Sequence, residues 1–146
     1  MHKIKVLLTG AAGNVGQALL KPFNEAYHLR TLDMRPVPGD PNAILCNLQD
    51  FAALKEAMQG FEVLVHLAAA SSQYCTFMED LLPNNLVGLY NVLQAARETG
   101  VRRIVFASSC HTVGAYPPYS KVRVSDPIRP DSLYGISKIF GEVLGC

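Results

Sequence analysis

Apolar runs of strand length alternate along this chain with segments whose apolar residues recur every three or four positions. The runs KIKVLLT (3–9), HLRTLD (28–33), AILCNL (43–48), EVLVHLAA (62–69) and VRRIVFASS (101–109) predict five strands. Between them, NVGQALLKPFNEAY (14–27) predicts a helix with Val15, Ala18 and Leu19 on one face, kinked or shortened at Pro22. QDFAALKEAMQG (49–60) predicts a second helix, capped by Asp50 and stopped by Gly60. A long helix follows over 78–99, disturbed near Pro83 and ended by Gly100, with Leu86, Leu89, Val92 and Leu93 at core spacing. A last helix starts near Ser132. MRPVPGDPN, SSQYCTF and the proline-rich stretch 110–131 read as loops. Strands alternating with helices predict one α/β domain over 1–146: a doubly wound parallel sheet with helices on both faces. Such a sheet places ligand chemistry at the carboxyl ends of its strands.

Composition changes this picture little. With 49% hydrophobic and 17% charged residues, the chain suits a sheet buried on both faces. Net charge is +1, and Lys and Arg are scattered, so no basic stripe supports nucleic-acid binding. No run reaches the ~18 apolar residues of a membrane span. The opening MHKIKVLLTGAAG imitates a leader peptide, but its apolar core VLL is too short and follows Lys5. Cys46, Cys75, Cys110 and Cys146 have neither CxxC nor metal-ligand spacing, which predicts reduced thiols in a cytoplasmic protein and no metal.

The turn TGAAGNVG carries Gly10, Gly13 and Gly16 between the first strand and the first helix. Glycine there permits a tight turn and close backbone approach to a pyrophosphate, which the helix N-terminus attracts. Asn14 and Val15 of that turn join the three glycines as cofactor-binding candidates. Asp33 closes the second strand about 20 residues on, where a carboxylate bonds ribose hydroxyls and repels a 2′-phosphate. NAD is therefore expected over NADP, although Arg35 nearby could accept such a phosphate.

In family order, TGAAGNVG, Asp33, Asn47–Leu48, HLAA (66–69), NNLVGLYNVLQAA, RIVFASS and YGISK resemble the extended short-chain dehydrogenases/reductases, also called NAD-dependent epimerase/dehydratases. The resemblance covers essentially the whole chain and implies a Rossmann-like fold. VFASSCHTVG and RPDSLYGISKIFGE are most similar to uronate dehydrogenases, which oxidise the anomeric carbon of a hexuronic acid by hydride transfer. It implies Tyr134 as catalytic base, Lys138 as the lysine that holds the nicotinamide ribose and lowers the tyrosine pKa, both of them also cofactor contacts, and Ser109 as the serine bonding the reacting hydroxyl. It implies Asn47, Leu48, Ala68, Ala69 and Asn85 as cofactor contacts, and Ser71, Cys110 and His111 at the sugar or uronate. For His111, substrate contact and a plain loop role both stand; His66 reads as structural.

Three departures stand out: Asn47 replaces the usual Asp, which makes its bond to the adenine amine weaker in charge, while Cys110 in place of a substrate-binding Asn and a loop at 70–80 about two residues longer bear on substrate. The family's chains continue past the helix bearing Lys138 into a substrate-binding region, so this chain is expected to be the cofactor-binding portion of a longer enzyme. A homodimer through 78–99 and the last helix is a further expectation from the family. Dehydrogenase, nucleotide-sugar epimerase or dehydratase, and non-catalytic dinucleotide-binding module are the three readings carried forward.

Tyr134 and Lys138 are four residues apart, so a helix sets them on one face. A tyrosine of ordinary pKa, ≈ 10, is a poor base at neutral pH; an adjacent ammonium and the positive nicotinamide ring are both expected to favour its phenolate.

Overall fold

The computed structural model describes residues 3–72 and 74–145. Cys146 and Gln73, interpreted above, lie outside the described residues, as do Met1 and His2. The strands are β1 (Lys5–Thr9), β2 (His28–Asp33), β3 (Ile44–Leu45), β4 (Val63–His66) and β5 (Arg103–Phe106). They form one parallel sheet in the order β3-β2-β1-β4-β5, with Val6 opposite both Leu29 and Val63. The order reverses between β1 and β4, which opens the crevice that doubly wound sheets use for ligands.

Alternation along the strands feeds two cores. Leu7, Leu32 and Leu64 pack with Leu54, Met58, Val92 and Ala96 beneath the helices α2 (Phe51–Ala57) and α3 (Leu89–Thr99). Val6, Leu8 and Val65 pack on the opposite face with Leu19, Leu20 and Phe23 of α1 (Asn14–Ala26). Every second side chain thus enters a different layer, as a sheet covered on both faces requires.

Several boundaries differ from the sequence reading. The buried face of α1 is Gly16, Leu19, Leu20 and Phe23, whereas Val15 is 62% exposed and Ala18 is exposed. Pro22 does not shorten α1; it lies on the solvent side, where water can replace the missing hydrogen bond. The helix α2 ends three residues before Gly60, which sits in the following turn at φ 75°. Its cap is as expected, with Asp50 accepting the Ala53 N–H at 3.0 Å. The strands β3, β4 and β5 are shorter than their apolar runs, because Cys46–Leu48, Leu67–Ala69 and Ala107–Ser109 leave the ladder to form loops at the carboxyl ends of the strands.

The long helix is two helices in series. Phe77–Gly88 is π-helical, opening with the Leu81 N–H bonded to the Thr76 carbonyl at 3.1 Å, and α3 continues from it to Gly100 at φ 78°. The disturbance expected at Pro83 is therefore a change of helix type over twelve residues. Asp80 returns to cap the start, accepting from the Thr76 N–H and hydroxyl at 2.8 and 3.0 Å. The last helix, α4 (Leu133–Leu144), is capped by Ser132, which accepts the Gly135 N–H at 3.1 Å. It packs on the π-helical segment and on a 3-10 turn over Cys110–Thr112. Among the described residues no strand lies beyond β5, whose Ile104 and Val105 are 38% and 49% exposed.

Candidate active site

The glycine turn leaves the carboxyl end of β1 and passes directly under the loop after β4. Gly10 has φ 74°, and a Cβ there would stand 2.5 Å from the Ala68 nitrogen. A Cβ on Gly16 would stand 2.4 Å from the Gly10 carbonyl oxygen. Both positions exclude a side chain, and the space so kept belongs to the backbone. The Gly10 N–H is tied to the Leu32 carbonyl at 2.9 Å. Asp33 tightens the same junction: Oδ2 accepts the Ala12 N–H at 2.9 Å and Oδ1 accepts the Arg35 N–H at 3.0 Å.

Above this turn is a cleft of about 430 Å³. It brings together Gly10, Gly13, Asn14, Val15, Gly16, Asp33, Asn47, Leu48, Ala68, Ala69 and Ser71, all singled out from sequence. It also takes in Met34, Cys46, Leu67, Ala70 and Asn84, which the sequence reading missed. Their common signal is position: each is within two residues of a strand's carboxyl end, or beside a residue already chosen. Leu48 is seated by Gly88, whose absent Cβ would lie 2.8 Å from the leucine Cβ. The Asn47 Oδ1 accepts the Gln49 N–H at 2.9 Å, a local turn of the kind asparagine favours.

Tyr134 and Lys138 share the inner face of α4, and both are buried. The Lys138 Nζ donates to the Ala107 carbonyl at 2.9 Å and lies 5.0 Å from the Phe106 ring centre and 5.7 Å from that of Tyr134. Burial lowers its pKa to about 8. Burial raises that of Tyr134, against a smaller opposing pull from the Ser109 hydroxyl. Of the two positive groups expected to favour the phenolate, the lysine by itself does not outweigh burial. Tyr134 and Lys138 have both lost water, and loss of water penalises phenolate and ammonium alike. Ser109 stands three residues past β5; its Oγ also accepts the His111 N–H at 3.2 Å. The adjacent Ser108 hydroxyl bonds the Glu142 carboxylate on α4.

His66 is fully buried, with Nδ1 2.7 Å from the Thr9 hydroxyl and its ring stacked 6.1 Å from Phe106. Desolvation, with the Lys138 charge adding to it, pushes its pKa down to about 3. His66 ties β4 to β1 at their seam. The His111 Nδ1 lies 2.8 and 2.9 Å from the two Asp131 oxygens, and its ring meets Tyr134 edge-on at 5.6 Å. Cys110 is exposed beside it; Cys46, Cys75 and Cys110 are free thiols. Asn85 does not reach the large cleft and lines a separate, much smaller cavity beside Lys138. Among the described residues there is no group of three metal-ligating side chains, and no helix is long and apolar enough to cross a membrane.

A parallel sheet in this order, with a glycine-floored cleft at its switch point, defines a Rossmann-like domain. The chain belongs to the NAD dependent epimerase/dehydratase family, whose model matches residues 6–145. It is 38% identical over 143 residues to a uronate dehydrogenase of Pseudomonas putida, a match covering 94% of this chain and 53% of that one. The crystal structure of uronate dehydrogenase from Agrobacterium tumefaciens superposes with a TM-score of 0.89 at 40% identity, over 99% of this chain and 55% of that one. A mutant of that enzyme complexed with NAD gives 0.88 at 40% identity, over 97% and 54%. The chain therefore spans about half the length of the relatives it matches.

Proposed function

We propose that this chain is the NAD-binding part of an oxidoreductase acting on a sugar or sugar-acid hydroxyl, with a hexuronic acid as the favoured substrate. The observation that carries the reading is the meeting of two features at one sheet end. The glycine-floored cleft ends in the Asp33 carboxylate, and the Tyr134–Lys138 face of α4 stands beside the next loops over. The residues fit a dinucleotide. Gly10 and Gly16 let the turn close tightly on the backbone of Ala68 and Ala11, and the cleft that Gly10, Gly13 and Gly16 line at the start of α1 would take a pyrophosphate against bare backbone. Each Asp33 oxygen holds one backbone N–H and retains capacity for a ribose hydroxyl, whereas a 2′-phosphate would meet its charge. This favours NAD over NADP. Asn47 and Leu48 close the adenine side, where an amine would have to share the Asn47 oxygen with the Gln49 N–H.

The dinucleotide, when bound, supplies the oxidant for the sugar carbon. Ser109 holds the reacting hydroxyl, and Tyr134 takes its proton as that carbon is oxidised. Lys138 is fixed by the Ala107 carbonyl, so its charge stands at one place relative to the phenol. Burial raises the Tyr134 pKa in the free protein, and positive charge entering the site would act against that shift. Ser71, Cys110 and His111 would contact the substrate, with Asp131 steadying the imidazole. Exposed Met78, Val87 and Tyr90 on the π-helical segment and α3, with Ile136 and Val143 on α4, support a homodimer through these helices.

The test is calorimetric titration with NAD and with NADP, followed by assay of uronate oxidation through NADH absorbance. Saturable NAD binding with weaker NADP binding is expected. Tyr134→Phe should lower any oxidation rate by about 10²–10⁴ while leaving NAD affinity unchanged. A nucleotide-sugar epimerase or dehydratase would instead turn over without net NADH, and no binding of either dinucleotide would sink the reading.

A further inference from the structure

The proline-rich loop over 110–131 closes on itself beside Tyr134. The Arg129 N–H donates to the Thr112 carbonyl at 3.1 Å, the Ala115 N–H to the Arg129 carbonyl at 2.9 Å, and the Asp131 N–H to the His111 carbonyl at 3.3 Å. Asp131 is thereby set against His111, with its two carboxylate oxygens 2.8 and 2.9 Å from the imidazole Nδ1. Oδ1 also accepts the Ser132 hydroxyl at 2.9 Å. Two glycines fit the pair closely. A Cβ on Gly114 would stand 2.0 Å from the Asp131 Oδ2, and one on Gly135 would stand 2.2 Å from the His111 carbonyl oxygen. The His111 bond, then the Ser132 bond, holds the Asp131 carboxyl below the ordinary carboxylate range. An ionised carboxylate has no proton to give, so Nδ1 is the donor in this contact. A neutral imidazole carries one N–H, which leaves Nε2 with a lone pair to accept. Among the described residues nothing bonds Nε2, and the side chain is 28% exposed. The ring meets Tyr134 edge-on at 5.6 Å, and the His111 backbone N–H rests on the Ser109 hydroxyl at 3.2 Å. This acceptor therefore stands beside the two groups that would handle the reacting hydroxyl.

We propose that Asp131 is a positioning residue that fixes His111 as its Nδ1–H tautomer, so that Nε2 accepts a hydroxyl of the sugar and does not bind a carboxylate. The carboxylate of a hexuronic acid is then held elsewhere, because a neutral Nε2 offers it no proton and Asp131 across the ring repels it. The sugar contact rests on the oxidoreductase reading above; the tautomer does not.

The experiment is two-bond ¹H–¹⁵N NMR of the imidazoles in the 146-residue chain, with His111→Gln identifying the His111 signals. It is run about two pH units above the ordinary imidazole pKa, where a ring without special support is neutral. In the wild type Nδ1 should be protonated and Nε2 bare. Asp131→Ala removes the acceptor and should move at least about half of the ring to the Nε2–H form. Asp131→Asn keeps an oxygen in place but can also donate, so it should fall between the two. A wild-type ring protonated at Nε2 overturns the positioning role. So does a tautomer that is the same in the wild type and both variants. D-glucuronate and D-galacturonate are then titrated into the chain saturated with NADH, which cannot oxidise them, with affinities from calorimetry. Binding should shift the Nε2 signal while Nε2 stays bare, and Asp131→Ala should weaken it about five- to tenfold. An Nε2 that becomes protonated as the uronate binds overturns the hydroxyl assignment in favour of a carboxylate. An Nε2 signal that bound uronate does not move overturns it as well. If neither uronate binds, the oxidoreductase reading falls and the sugar contact with it, while the free-chain spectra still decide the tautomer.

Discussion

Two buried basic side chains make stability rise with pH, each in its own window. Lys138 ionises at about 8 in the folded protein against 10.5 for the ordinary side chain. Between those values the unfolded chain holds the extra proton, so this group makes stability rise with pH across the window. Urea unfolding of the wild type and Lys138→Met should diverge by about 3 kcal/mol in the wild type's favour from pH 8 to 10.5. His66 is depressed from 6.5 to about 3. Below 6.5 the unfolded chain takes a proton that folded His66 refuses, so stability is lost as pH falls toward 3. The same measurement on His66→Gln should show a shallower acid slope, by up to about 1.4 kcal/mol per pH unit. Neither shift was legible in the sequence. YGISK predicts the helix and the shared face, but the direction of the Tyr134 shift follows from how much water the neighbours exclude.

At the scale of elements, the sequence was read well wherever periodicity alone decides. β2 has the expected bounds, Asp50 and Ser132 cap the helices they precede, and Gly100 ends α3. It was read poorly where tertiary geometry decides. Val15 sits at an apolar spacing yet faces the cleft, because Gly16, one residue on, must contact the strand. The π-helical segment has no periodic signature of its own. The hydrogen bond from Asn85 to Ser137 joins residues 52 apart, which no local pattern contains. The close approach of α1 to β1 gives a direct test. Gly16→Ala places a methyl 2.4 Å from the Gly10 oxygen and should cost about 1–3 kcal/mol and weaken NAD binding. Gly13→Ala, whose Cβ meets only that oxygen at 3.2 Å, should cost less by thermal melting.

Across the whole molecule, the sheet is asymmetric. At one side β3 is two residues long; at the other β5 presents exposed Ile104 and Val105 on an edge that no described strand covers. Such an edge invites pairing with other chains. Val105→Lys should reduce concentration-dependent association in sedimentation velocity while leaving the melting temperature nearly unchanged; an identical sedimentation profile would remove the edge from the account. The junction of β1 and β2 reaches furthest. Asp33, proposed to choose between two dinucleotides, also fastens the Ala12 N–H of the turn that would cradle them. Cofactor preference and loop shape are therefore a single variable in this chain. An attempt to redesign it for NADP by replacing Asp33 alone would release the turn at the same stroke, and a successful redesign must supply Ala12 with a new acceptor.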